Sequence, residues 1–268
     1  MDFTKRKLIA GLMASAVIMA GCGKKEEAPA QPAAEAKPAV AEVKTYKVAS
    51  DAAYAPFESL NEQKEVVGFD VDVLKAVAEK GGFKVEFINT PWEGIFATLP
   101  TGDRDIVASA VTITDERKQT MDFSEPYFEA KQLIAIGKDS KVAKFEELKK
   151  LKVGVQTGTT GDEVVQKLLG KTNPNIKRFE STPLALKELL NGGVDAVVAD
   201  NGVVINFIAN NGDAGLKTIE DAAFAPEFYG FAVKKGNAEL QDKLSKGIAA
   251  IKADGTYNKI YEQYFGEK

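Results

Sequence analysis

The sequence predicts an α/β fold in two lobes. Three observations carry that reading. From residue 46 onward short strand patterns alternate with amphipathic helical patterns, the alternation occurs twice in succession, and two extended connections separate the runs. In the first run, residues 46–50 read as a strand. Residues 68–80 carry Phe69, Val73, Leu74, Val77 and Ala78 on one helical face, and Gly81-Gly82 ends the helix. Residues 83–88 alternate as a strand, Ile95, Phe96 and Leu99 mark a helix, 105–108 form a buried strand, and 114–118 open another helix.

The second run repeats this order. Residues 152–156 form a strand, 160–169 a helix and 176–179 a strand. Thr182-Pro183 combines an N-cap hydroxyl with proline at the first helical position, and that helix ends at Asn191 before Gly192-Gly193. Residues 194–199 form a strand and 202–210 a helix. The extended connections are 127–136 and 228–233, and helices at 238–253 and 257–265 finish the chain. Strand–helix alternation implies parallel sheets covered by helices.

Composition removes several function classes. The chain has 268 residues, a formal net charge of −4, no histidine and one cysteine. No basic cluster follows the first seven residues, which argues against a nucleic-acid face. Without histidine there is no Ser-His-Asp or Cys-His triad, and the commonest zinc ligand is missing. A single cysteine excludes an internal disulfide, and no EF-hand-like carboxylate loop occurs. No metal, cofactor or nucleic acid is expected.

The N-terminus reads as an address. Lys5, Arg6 and Lys7 precede a short apolar run over 8–19, broken only by Gly11 and Ser15. A bilayer span needs roughly 20 apolar residues, so the run matches a signal-peptide core instead. It ends in Met19-Ala20-Gly21-Cys22, which resembles a bacterial lipobox with Met19 in place of the usual leucine. A plain signal peptide with a bystander cysteine is the alternative. The expectation is a signal peptide over 1–21, a lipidated Cys22 and a flexible tether over 22–44, rich in alanine, proline and charge.

Open α/β sheets bind ligands at the carboxyl ends of their strands. The segments there are 51–58, 89–94, 109–117, 156–161 and 199–201. Their residues resemble the family 3 solute-binding proteins, receptors for polar amino acids in ABC importers. The resemblance covers 47–266 and rests on Tyr54-Ala55-Pro56-Phe57-Glu58, Gly68-Phe69-Asp70-Val71-Asp72, Thr112-Ile113-Thr114-Asp115-Glu116-Arg117, Gly154 through Thr160, and Asp254-Gly255-Thr256-Tyr257. It implies a two-lobed periplasmic binding protein fold of type II with two hinge strands. Lobe 1 would be 45–127 plus 231–268 and lobe 2 the inserted 131–227, with hinges near 127–131 and 227–231.

The resemblance assigns roles. Arg117 would bind the ligand carboxylate, with donors from Thr112 and from the amides near Thr159 and Thr160. Asp200 would accept from the ligand ammonium, with acceptors at Ser109 and Ala110 beside it. Plain readings also exist: Arg117 as an exposed helix residue, and Asp200, Thr159 and Thr160 as helix caps. A cation in the first turn opposes the helix dipole, which favours another task for Arg117. Tyr54 and Trp92 would wall the side-chain pocket, or simply pack in the core. Asp51 would lie at its far end, with Glu58 and Glu93 adding weaker negative potential. Gln156 and Ala199 stand where an acidic ligand would need a cation.

The implied protein is a non-catalytic receptor for arginine, then lysine or histidine, with glutamine as the near alternative. It would be a monomer, held at the outer face of the cytoplasmic membrane or in the periplasm by its lipid anchor alone. An ABC permease would be its partner. Two other classes share the scaffold. A dehydratase resembling cyclohexadienyl dehydratase would need a pocket acid such as Glu58 or Glu93. A sensor domain would need a separate signalling partner, since no membrane or signalling segment precedes Lys268.

Overall fold

The computed structural model describes residues 43–212 and 215–267. The signal segment 1–21, Cys22 and all of the tether except Val43 and Lys44 lie outside the described residues. In chain order, the first elements are β1 (Thr45–Ser50), β2 (Ala53–Tyr54), β3 (Glu58–Leu60), β4 (Val66–Val67), α1 (Phe69–Gly81) and β5 (Lys84–Asn89). Then come α2 (Thr98–Thr101), β6 (Ile106–Val107), α3 (Arg117–Thr120), β7 (Met121–Phe123), β8 (Phe128–Ala130) and β9 (Gln132–Gly137). The middle holds β10 (Val153–Gln156), α4 (Thr160–Leu169), β11 (Ile176–Phe179), α5 (Thr182–Leu190), β12 (Ala196–Asp200) and α6 (Asn201–Asn210). The chain closes with β13 (Leu216–Ile219), β14 (Glu227–Tyr229), β15 (Ala232–Lys234), α7 (Ala238–Ala253) and α8 (Thr256–Phe265).

Two five-stranded sheets carry the fold, in the orders β5-β1-β6-β15-β7 and β11-β10-β12-β9-β13. Each is mixed rather than purely parallel. The first three strands of each are parallel, and the last two run against their neighbours. The reason is connectivity. Parallel neighbours need a crossover helix. β9 and β15 instead enter their sheets straight from a chain crossing, without one.

The chain passes from the first sheet to the second after β7 and returns after β13. On the way β8 pairs antiparallel with β14, matching Phe128 to Tyr229. These crossing strands are packed into the first lobe's core by aromatic rings. Phe57 lies edge-on to Phe128 at 5.0 Å and to Tyr229 at 5.3 Å, and Phe128 stacks on Tyr229 at 5.4 Å.

α1 buries Phe69, Val73, Leu74, Val77 and Ala78, the face read from the sequence. It stops at Gly82, whose left-handed φ of 66° returns its amide to Ala78 and Glu79. At its other end Gly68 has φ 140°, and a β-carbon there would lie 2.2 Å from the Phe57 carbonyl oxygen. Only glycine lets the helix start against the Phe57 backbone.

Several local expectations differ from the fold. The extended connections 127–136 and 228–233 each break into two strands, at Lys131 and at Gly230-Phe231. The 114–118 helix is the single turn Arg117–Thr120. The helix around Ile95 is a tight 3-10 turn, Ile95–Ala97, followed by α2, which left-handed Gly102 ends after one turn. At α5 the cap position is Ser181, and Thr182 makes no cap bond. Its hydroxyl donates to Gln156 Oε1 at 3.0 Å instead. No helix among the described residues is long and apolar enough to cross a membrane.

Candidate functional site

Both sheets reverse their order at a central strand, β1 in one and β10 in the other. A cleft opens where connections leave such a strand in opposite directions. A cavity lies there. The first lobe lines it with Asp51, Tyr54, Trp92, Ser109, Ala110, Thr112 and Arg117. Gln156, Thr159, Thr160 and Asp200 face them from the second. These are the eleven residues singled out from the sequence. Glu58 and Glu93 are not among them. Glu58 is fully buried behind Ser109, and Glu93 points to solvent.

Arg117 is the single basic residue of that lining and is nearly buried. Its amide is held by Thr114 Oγ1 at 3.1 Å. Its guanidinium donates through Nη1 to the Thr112 carbonyl at 2.9 Å and through Nη2 to the Gly158 carbonyl at 3.4 Å, across the cleft. The plane stands over the rings of Trp92 and Phe96, 5.4 and 5.2 Å from their centroids. So Trp92 walls the cavity and also orients Arg117. Burial lowers the Arg117 pKa, while Glu163, Asp200 and Glu227 hold the charge in place.

Asp200 occupies the N-cap position of α6, yet its side chain makes no cap bond. It accepts from Tyr54 Oη at 2.8 Å, and from Tyr229 Oη and Gln132 Nε2 at 2.5 Å each. Burial pushes its pKa up to about 6, helped by the nearby Glu227, while the two phenols and the amide oppose the rise. Asp51 is also raised by burial, against a bond from Gln156 Nε2 at 3.1 Å and one from the Trp92 amide.

The hydroxyl groups are more committed than the sequence indicated. Thr112 Oγ1 and Thr160 Oγ1 both donate to Glu227 Oε2, at 2.8 and 2.7 Å. Thr159 Oγ1 caps α4 by accepting from the Asp162 amide. Ser109 Oγ accepts from the Asp51 amide and donates to Glu58. What remains for a ligand at these positions is backbone: the Ser109 carbonyl and the first amides of α4, which have no partner inside the helix. That loop is held from behind. Asp162 accepts from the Gly158 amide at 3.1 Å and from Arg178 Nε through both oxygens.

Three further residues shape the site and were not foreseen. Gln132 opens β9, and its Nε2 donates to Thr160, Asp200 and Glu227. Glu227 opens β14 and links Thr112 of the first lobe to Thr160 of the second. Tyr229 reaches Asp200 from the same strand. A buried glutamine heading the apolar strand Gln132–Gly137 was the available signal.

The model for the bacterial extracellular solute-binding proteins, family 3, matches residues 46–267. The chain belongs to that family. Among its relatives, a "Probable histidine-binding protein" of Neisseria gonorrhoeae is 46% identical over 265 residues, covering 98% of this chain and 97% of that one. The arginine-, lysine-, histidine-binding protein ArtJ of Geobacillus stearothermophilus superposes with a TM-score of 0.81 at 45% identity, over 84% of this chain and 96% of that one. An ancestral arginine-binding protein bound to glutamine gives a TM-score of 0.78 at 44% identity, over 83% and 98%. These relatives are named as binding proteins, not as enzymes, and the "ABC transporter arginine-binding protein 1" of Escherichia coli, 34% identical over 80% of this chain and 88% of that one, is named for a transporter.

Proposed function

We propose that this chain is the extracytoplasmic receptor of an ABC importer for basic amino acids, arginine first, then lysine and histidine. The observation that carries this is the charge balance of the cleft. Arg117 faces Asp51 and Asp200, with Glu227 bonded to the threonines behind. A zwitterion adds no net charge to that acidic excess. A zwitterion with a cationic side chain offsets part of it, which makes its desolvation less costly.

Arg117 takes the carboxylate in a two-pronged grip, and the amides of α4 add the positive end of a helix. Asp200 takes the ammonium. The side chain runs between Tyr54 and Trp92 toward Asp51. Arg117 and Asp200 belong to different lobes, so a ligand joined to both favours the closed arrangement. The lobes are taken as 45–127 plus 231–268 and 131–227, hinged near 127–131 and 227–231. The ligands in the names of the histidine-binding relative and of ArtJ support the same side-chain class. We extend the reading to a monomer lipidated at Cys22, tethered by 22–44 at the membrane's outer face, delivering its ligand to a permease.

Glutamine is the second reading, because the Asp51–Gln156 pair also suits an amide. The two separate on Asp51→Asn. Removing that charge is expected to weaken arginine and lysine by about tenfold or more, the worth of one charge-assisted bond, while glutamine changes by less than about threefold. Calorimetric dissociation constants for the three ligands check this. Equal losses for arginine and glutamine would reject the cationic pocket.

A further inference from the structure

Behind the cavity floor two acids face each other inside the first lobe. Glu58 opens β3, Asp70 sits in the first turn of α1, and both are fully buried. One oxygen of each is committed. Glu58 Oε1 accepts from Ser109 Oγ at 2.9 Å. Asp70 Oδ2 accepts from the Ala110 amide at 2.7 Å and from Tyr127 Oη at 2.6 Å. The remaining oxygens, Glu58 Oε2 and Asp70 Oδ1, are buried with no donor among the described residues. The two carboxyl groups are tied to adjacent residues of one turn, Glu58 to Ser109 and Asp70 to the Ala110 amide, and each perturbs the other. Two bare carboxylates facing each other in a core are costly, and a single proton between them satisfies both oxygens.

We propose that Glu58 and Asp70 share a proton and act as a positioning pair, holding the Ser109–Ala110 turn, and through it Asp51, in the geometry that meets the ligand. The assignment rests on the amino-acid-binding reading above. Ala110 has a φ of 46°, in the left-handed region that a β-carbon disfavours. Its amide bond to Asp70 helps hold it there. Ser109 Oγ, donating to Glu58, accepts from the Asp51 amide at 3.0 Å. Three cavity residues are thus fixed from behind by groups that do not touch the ligand.

Burial raises both carboxyls, and the charge of Asp70 raises Glu58 further. The other titratable groups facing the pair are Asp51 and Tyr54 on the cavity side, Tyr127 beside β8 and Tyr257 on α8. All are acids or phenols, so none favours a second negative charge. The native chain therefore keeps a proton that the unfolded chain releases above the ordinary glutamate range, and its stability falls as pH rises.

Urea unfolding of the full chain and of Glu58→Gln, followed from about pH 5.5 to 8, tests the proton. The amide of Glu58→Gln donates to Asp70 without titrating. The unfolding constant of the wild type is expected to rise about tenfold per pH unit more steeply than that of the variant. Equal slopes would overturn the proposal. Arginine affinity at about pH 6 tests the positioning. Glu58→Gln is expected to stay within about threefold of wild type, and Glu58→Ala to lose about tenfold or more. Equal losses in the two variants would overturn the sharing. If wild type fails to bind arginine while the slopes differ, the binding reading falls and the proton stands. Should Glu58→Gln not fold, infrared spectroscopy of wild type at about pH 8 decides. A carbonyl band of protonated carboxyl is expected, and its absence would contradict the pair.

Discussion

Replacing Arg117 by alanine is expected to abolish binding of every amino acid the wild-type chain binds, whatever its side chain. The guanidinium is nearly buried and aligned by Thr112, Gly158, Trp92 and Phe96. Without it, a ligand carboxylate would be desolvated with no cation to meet it. Truncating one partner of such a buried charge pair costs roughly 2–5 kcal/mol, a loss of about thirtyfold to several thousandfold. Arg117→Lys keeps the charge but loses the fork, and should also bind weakly. Titration calorimetry measures both, with the thermal midpoint of each variant confirming that the fold survives. Retained affinity in Arg117→Ala would remove the carboxylate role.

The second large effect is on pH. Asp200 has its pKa pushed up to about 6 by burial and by Glu227. Only its ionised form can accept from a ligand ammonium while still holding Tyr54, Tyr229 and Gln132. As pH falls through about 6 the proton competes with the ligand, and the dissociation constant should rise by up to about tenfold per unit. The stability term has the opposite sign. A carboxyl raised in the folded state is protonated there before it is in the unfolded chain, so its contribution grows as pH falls from about 6 toward the ordinary aspartate range. Affinity should therefore weaken while this group's contribution to stability increases. Asp200→Asn is expected to bind at least about tenfold more weakly at neutral pH and to lose most of the pH dependence. An unchanged profile in Asp200→Asn would assign the effect elsewhere.

Much of this was legible in the chain. The bounds of α4, β11 and α7 are those read from periodicity, because each carries a clear apolar face between strong boundary signals. The segments that line the cavity were legible because they lie at or after strand ends in an alternating α/β pattern, and such positions converge on one edge of a sheet; the individual residues within them came from the resemblance to the family 3 solute-binding proteins. What escaped were groups that meet only because the chain crosses twice between sheets. Glu227 and Gln132 are far apart in sequence; Gln132 lies on a connection that reads simply as extended, and Glu227 just before the other. Nothing local marks Glu227 as the acceptor shared by Thr112 and Thr160. Thr182 shows the complementary limit: its hydroxyl fits a cap by local rules, and tertiary contact with Gln156 overrides them. Glu58 was noticed as an acid near the pocket, but only the fold places it behind Ser109, facing Asp70.

The central claim is a cleft that grips a zwitterion by Arg117 and Asp200 and selects a cationic side chain by Asp51. Titration calorimetry of the purified chain against the twenty standard amino acids tests it most directly. The account predicts saturable one-to-one binding of arginine, with lysine and histidine next and acidic amino acids silent. Binding of glutamine with no response to arginine, lysine or histidine would contradict it.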